Sequence, residues 1–193
     1  MIKIGEKIPD FTLGYFQSDN GTETDKDAKL TLSKYRGTWM VLVFYPADFT
    51  FVCPTELEEL AGLHSAFKKA GAEVMSVSTD TVFVHKAWHD ASPAIKKITY
   101  PMIADPTGNL CRAFGTYIDD EGLSLRGSFI IDPDGALQAY EINANNIGRS
   151  GEELLRKLTA AIYVREHKNE ACPAKWKPGE KTLRPGMDLV GKI

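Results

Sequence analysis

Three cysteines, Cys53, Cys111 and Cys172, are the residues of this chain best suited to covalent chemistry. So few thiols, and an odd number, do not make a disulfide framework. In a reducing compartment a cysteine is packed, metal-bound or chemically active rather than a staple. Zinc does not fit, because no two cysteines stand within four residues of each other. His85 and His89 sit one helical turn apart but have no cysteine beside them, so no metal is expected. The chemistry open to this chain is therefore that of a single reactive sulfur.

Cys53 has the most useful position. It lies in Pro46-Ala47-Asp48-Phe49-Thr50-Phe51-Val52-Cys53-Pro54-Thr55-Glu56, between a continuous apolar run and a helical pattern. The first turn of a helix presents unpaired N–H groups and about half a positive charge, which favours thiolate over thiol. Pro54 suits that first turn, where its missing N–H costs nothing. Free thiols, with pKa near ~8.5, are only slightly ionised at neutral pH, whereas cysteines at helix N-termini beside a cation reach ~3.5–7.5. Position alone leaves two readings open, a nucleophile or a small buried hydrophobe. Cys111, at helical spacing with Leu110 and Phe114, reads as core packing. Trp88 and Phe83 also read as core aromatics, with Trp88 near a pocket wall.

The elements that must position this sulfur alternate strand and helix. Trp39-Met40-Val41-Leu42-Val43-Phe44-Tyr45, ended by Pro46, suits a strand buried on both faces. Leu57, Leu60, Ala61, His64 and Phe67 then recur at helical spacing, and Gly71 supplies the stop. Residues 73–78 predict a strand, 81–91 a helix, 101–105 a short strand and 107–114 a short helix. Pro133-Asp134-Gly135 between Ser128–Asp132 and Leu137–Ile142 is a hairpin signal. A helix over 150–165 closes the core. Two strand–helix units, a hairpin and a final helix predict an α/β, thioredoxin-like fold: a mixed central sheet flanked by helices, with an N-terminal extension to Lys34 added at the edge. The expected division is a domain over 1–166 and a C-terminal tail over 167–193. Pro173, Pro178 and Pro185 interrupt helix there, so an extended, mobile tail carrying Cys172 is expected.

Pro46-x3-Thr50-x2-Cys53 matches the signature of the peroxiredoxins, and the run from Phe44 to Leu57 resembles the bacterial alkyl hydroperoxide reductase C group. Similar words recur in order at Ser76–Asp80, His85–Trp88, Ala104–Gly108, Arg126–Asp132 and Gly148–Ser150. Glu170-Ala171-Cys172-Pro173-Ala174-Lys175-Trp176 resembles the resolving-cysteine motif of two-cysteine members. The resemblance covers essentially the whole chain.

What the resemblance implies is a thiol-dependent peroxidase, an antioxidant enzyme without a cofactor, reducing hydrogen peroxide and organic hydroperoxides to water or alcohols. Cys53 would be the nucleophile, becoming a sulfenic acid that condenses with Cys172. In the resembled proteins that disulfide joins two subunits of a homodimer, often assembled into a decameric ring. Thr50 would hydrogen-bond both sulfur and peroxide. Arg126 would supply a fixed positive charge beside the sulfur and the departing oxygen. Pro46 would shield the pocket from water, and Glu56 and Arg149 would support Arg126. Taken singly, each has a plainer alternative: Thr50 a helix cap, Arg126 a strand-end charge, Glu56 and Arg149 surface residues. Two elements that accompany inactivation by excess peroxide in the resembled family are missing: the comparable loop reads Ile118-Asp119-Asp120-Glu121-Gly122-Leu123, and the chain ends Asp188–Ile193. A tail that releases Cys172 quickly is expected.

Composition fits a globular protein, neither disordered nor fibrous: 43% of the 193 residues are hydrophobic and 25% charged. The net charge of −3 carries no broad footprint for nucleic acid or an anionic membrane. No apolar run approaches the ~18 residues a bilayer requires, and the opening Met1–Glu6 has no signal-peptide core. A soluble, cytoplasmic protein is expected, with a disulfide reductase, flavoprotein or thioredoxin, as electron donor. The competing function classes are a ring-forming, chaperone-like holdase or a redox-signalling binding protein, and a thiol–disulfide oxidoreductase. The last would carry Cys-x-x-Cys, but Pro54-Thr55-Glu56 follows Cys53.

Overall fold

The computed structural model describes residues 1–19 and 21–193. The N-terminal stretch forms strand β1 (Thr12–Phe16), the two-strand ribbon β2 (Ser18–Asp19) and β3 (Thr22–Glu23), and β4 (Lys29–Thr31). The alternating part follows: β5 (Trp39–Phe44), helix α1 (Cys53–Lys69), β6 (Ala72–Ser78), α2 (Val82–Ala91), β7 (Met102–Ala104) and α3 (Asn109–Phe114). A second ribbon, β8 (Tyr117–Ile118) and β9 (Leu123–Ser124), precedes the hairpin β10 (Arg126–Ile131) and β11 (Leu137–Asn143), and helix α4 spans Gly151–Glu166.

Seven strands make one mixed sheet in the order β11-β10-β5-β6-β7-β1-β4. The pairs β5–β6 and β6–β7 are parallel, and the others are antiparallel. Parallel neighbours need a crossover, which α1 and α2 provide. Every residue of β5 is buried, as its unbroken apolar run requires for a central strand. The N-terminal extension does add edge structure: β1 pairs with β7 and carries β4 outside it.

Phe44, Phe114 and Phe129 meet at the centre of the core with ring centroids 4.8–5.3 Å apart. Burying each such ring contributes ~1.5–3 kcal/mol. The hairpin turn is fixed by Asp132, whose Oδ1 accepts the N–H groups of Asp134 and Ala136, both at 2.9 Å. Gly135 sits there at φ +80°, and a Cβ on it would overlap Arg36 Nη1. That nitrogen donates to Asp134 O, so the turn needs glycine for space as well as for φ.

Two expectations change. Phe83 is 66% exposed rather than a core aromatic. The buried stripe of α2 is His85, Trp88 and His89, and Phe83 lies off it. The segment after α4, which lies in the second of two compact units (Met1–Gly151 and Glu152–Ile193), is not extended. It folds back through an Ala171–Leu183 bridge, with Trp176 tilted against Tyr163 at 5.0 Å. Glu170 ties the turn together, accepting from Tyr163 Oη at 2.6 Å and from the Thr182 hydroxyl. Prolines exclude helix from this stretch without excluding a stitched turn. Among the described residues, no helix is long and apolar enough to cross a membrane.

Candidate active site

The site is built at the carboxyl end of β5. Tyr45 and Pro46 remain buried as the chain leaves the sheet, and a short loop reaches Cys53, the first residue of α1. Pro54 follows inside the first turn, as the sequence requires. Cys53 is fully buried. The Thr50 hydroxyl lies 2.9 Å from Cys53 Sγ and 2.7 Å from Ala47 O. A hydroxyl has one proton and two lone pairs. Donating to Ala47, it can accept from a thiol; turned to the sulfur, it donates to a thiolate. Thr50 makes no capping bond to the helix, so its plainer alternative falls away.

Arg126 reaches the sulfur through strand register. β10 lies antiparallel to β5 with Gly127 opposite Phe44, which puts Arg126 just past the end of β5, facing the mouth of α1. Its Nη1 is 3.3 Å from Cys53 Sγ and donates to Glu56 Oε2 at 2.7 Å, while Nε donates to Asn145 O at 2.9 Å. The guanidinium is only 3% exposed, so it is a buried cation rather than a strand-end surface charge.

Glu56, one turn after Cys53, holds two arginines. Its Oε1 accepts from the backbone N–H of Arg149 at 2.8 Å and from Arg149 Nε at 2.9 Å, and its Oε2 accepts from Arg149 Nη2 at 3.0 Å. Arg149 Nη1 donates in turn to Gly127 O at 2.7 Å and Ser128 Oγ at 3.2 Å, bracing the start of β10. Burial pushes the Glu56 carboxyl up, but the hydrogen bonds and charge of Arg149, with the charge of Arg126, outweigh it and hold the group below its usual range. The buried cluster therefore holds two cations and one carboxylate.

The first unit thus brings together five of the seven residues expected from sequence, Thr50, Cys53, Glu56, Arg126 and Arg149, with Pro46 buried in the chain that leads from β5 to them. Cys172 lies in the second unit, half-buried, with Sγ 3.9 Å from Ala160 O on α4. Burial raises its thiol; Arg156 opposes that and Glu170 adds to it. Cys111 is fully buried in the main core, and burial, reinforced by the charge and hydrogen bond of Asp105, pushes its thiol up to about 12. The sequence does not point to Tyr45 and Asp48 as a pair, nor to their tie to His85. Tyr45 Oη donates to Asp48 Oδ1 at 2.6 Å, and His85 Nδ1 meets Asp48 Oδ2 at 2.7 Å, all three side chains buried. The one signal for it is a carboxylate set in the otherwise apolar run around Phe49 and Phe51. Among the described residues, no group of His, Cys, Asp and Glu is arranged to hold a metal.

A buried sulfur with a hydroxyl on one side and a guanidinium on the other can attack an electrophile and stabilise the anion it displaces. The comparisons agree with that chemistry. A model described as the AhpC/TSA family matches residues 4–140, and one described as the C-terminal domain of 1-Cys peroxiredoxin matches residues 163–188, the stretch that includes Cys172. The chain is 52% identical over 193 residues to alkyl hydroperoxide reductase C of Staphylococcus aureus, covering all of both chains. Among solved structures, Enterococcus faecalis AhpC superposes with a TM-score of 0.83 at 43% identity, covering 90% of this chain and 100% of that one. A reduced Plasmodium vivax 2-Cys peroxiredoxin gives a TM-score of 0.88 at 29% identity, covering 96% and 94%.

Proposed function

The chain belongs to the AhpC/TSA family, as a peroxiredoxin of the alkyl hydroperoxide reductase C group and hence a thiol-dependent peroxidase, and on that premise we propose that Cys53 is its peroxide-reducing sulfur. The observation that carries this reading is the convergence of Thr50 Oγ1 at 2.9 Å and Arg126 Nη1 at 3.3 Å on one buried Sγ at a helix N-terminus.

The Cys53 thiolate attacks the terminal oxygen of a hydroperoxide. A sulfur–oxygen bond forms, the oxygen–oxygen bond breaks, and the other oxygen leaves as hydroxide or alkoxide. That anion takes up the proton equivalent released when the thiol ionised, giving water or alcohol, and Cys53 becomes a sulfenic acid. Arg126 stabilises both the attacking sulfur and the negative charge on the departing oxygen. Thr50 donates its single proton along the same line. Pro46 has no N–H to compete for the peroxide and helps keep water away. Glu56 and Arg149 orient Arg126, since an arginine held by fixed acceptors loses little freedom when it binds.

Cys172 then attacks the sulfenic sulfur, forming a disulfide and releasing water. Two electrons and two protons from an external dithiol restore both thiols. As a family member the chain works with peroxides and a reductase. The finer assignments are part of this proposal: a Cys53–Cys172 bond between subunits of a homodimer, assembly into a decameric ring, a flavoprotein disulfide reductase or thioredoxin as donor, and action in the cytoplasm. A holdase is not favoured, because it would use none of Thr50, Cys53 and Arg126. Non-reducing electrophoresis after one equivalent of hydrogen peroxide tests the cycle. A covalent dimer should form in the unsubstituted protein and be absent from Cys53→Ser and Cys172→Ser. A dimer persisting in Cys53→Ser overturns the assignment.

A further inference from the structure

The peroxide chemistry makes no use of the buried His85–Asp48 pair, which ties α2 to the loop that carries Thr50. We propose that His85 is a positioning residue for peroxide reduction: through Asp48 it holds the loop from Pro46 to Thr50 in the conformation that aims the Thr50 hydroxyl at Cys53. This rests on the reading of Thr50 and Cys53 given above.

Restraints from three other elements converge on Asp48. Its Oδ1 accepts from Tyr45 Oη at 2.6 Å, at the end of β5, and its Oδ2 meets His85 Nδ1 at 2.7 Å, from α2. Its backbone N–H donates to Asp80 Oδ2 at 2.9 Å, and that carboxylate is itself held by Ser78 Oγ at 2.8 Å, at the end of β6. The other nitrogen of His85 faces Ile103 O on β7 at 3.2 Å, so the imidazole joins the loop to the sheet. Trp88, one turn along α2 from His85, sits with its ring 6.1 Å from both Tyr45 and Phe49.

The loop needs such a hold. Phe49 has φ +55°, a region that residues with a Cβ leave unless the surroundings impose it. Thr50 is the next residue, so relaxation of Phe49 would swing the hydroxyl away from the sulfur. His85 is fully buried and Asp48 is 6% exposed. A hydrogen-bonded polar pair so deep is seldom worth more to stability than apolar groups of the same volume, whereas it does select one geometry over others. Here the geometry it selects ends at Thr50, 2.9 Å from Cys53.

The test compares two reactions of the same sulfur, hydrogen peroxide, which needs Thr50, and iodoacetamide, which does not. His85→Gln can replace the nitrogen facing Ile103 but not the one facing Asp48. It should slow the peroxide step by roughly tenfold, the scale of one lost orienting hydrogen bond, and leave alkylation within about twofold. His85→Asn places its amide where Nδ1 stood and should recover most of the peroxide rate. In a Thr50→Val background, His85→Gln should cost nothing further, because both act through one hydroxyl. If His85→Gln does not fold, Tyr45→Phe, which removes only the other donor to Asp48, should show a smaller loss of the same kind. Equal slowing of both reactions, an undiminished loss in the Thr50→Val background, or an unchanged peroxide rate in the folded variant each overturns the proposal. A peroxide rate unaffected by Thr50→Val alone overturns the role of Thr50 as well, so the two failures are distinct.

Discussion

Cys53 and Glu56 stand one turn apart at the start of α1 and share a single nitrogen, Nη1 of Arg126, at 3.3 and 2.7 Å. The carboxylate fixes where the guanidinium points, and the sulfur receives the result. A cation aimed in this way stabilises charge without rearranging during the reaction, which is where preorganised sites gain most.

Arg126→Lys should therefore be far from conservative. An ammonium cannot donate in a fixed fork to Cys53, Glu56 and Asn145 O together. The second-order rate of Cys53 with hydrogen peroxide, followed by stopped flow, should fall by about 10²–10³, as for loss of one oxyanion donor elsewhere.

Glu56→Gln should lower stability and do so in a pH-dependent way. Removing one partner from a buried ion cluster costs about 3–5 kcal/mol. The folded Glu56 carboxyl is held below the ordinary value of 4.5, so its contribution is fully present above that value and is lost as pH falls through the lower, folded one. Urea midpoints of the unsubstituted protein and Glu56→Gln should differ most near neutrality and converge at acid pH. A gap that stays constant down to the acid limit contradicts the role given to Glu56.

Much of this is legible locally. The apolar run from Trp39 to Phe44 and the Pro54 signal place Cys53 at a helix mouth without any long-range information. Arg126 is different. It meets Cys53 only because Gly127 pairs with Phe44 across β10 and β5, a register that no short window contains, and only the family resemblance points to it. Phe83 is misplaced by sequence because hydrophobicity ranks it above histidine, yet His85 and His89 are buried on α2 and Phe83 is not. Both ring nitrogens of His85 have polar partners, which makes its burial tolerable. The prolines of the C-terminal segment predict an extended tail. The turn is closed instead by Tyr163, Glu170 and Thr182, polar residues whose meeting leaves no periodic trace.

Cys111 should be chemically silent in the folded protein. Burial, with the charge and hydrogen bond of Asp105, pushes its thiol up to about 12 and leaves it neither ionised nor reachable near neutral pH. Iodoacetamide treatment of the native, reduced protein followed by peptide mapping should leave Cys111 unlabelled until denaturant is added. Labelling of Cys111 at a rate comparable to Cys53 contradicts this.

The Glu170 turn should control how readily Cys172 becomes available. Glu170→Ala removes the acceptor shared by Tyr163 and Thr182, two residues before the cysteine. Released from that turn, Cys172 should trap the Cys53 sulfenic acid faster, and sulfinic acid at Cys53 under excess peroxide should fall. The unsubstituted protein should already give mainly disulfide by intact mass at modest excess. Predominant sulfinic acid contradicts the expectation of quick release.

The most direct measurement uses Cys172→Ser, in which a sulfenic acid at Cys53 has no resolving partner. One equivalent of hydrogen peroxide is added in the presence of dimedone, which captures sulfenic acids, and the product is peptide-mapped. A single adduct on Cys53, forming at least about a hundredfold more slowly when Arg126→Lys is added, is the predicted result. An adduct on Cys111, or one on Cys53 whose rate ignores Arg126, would contradict the account at its centre.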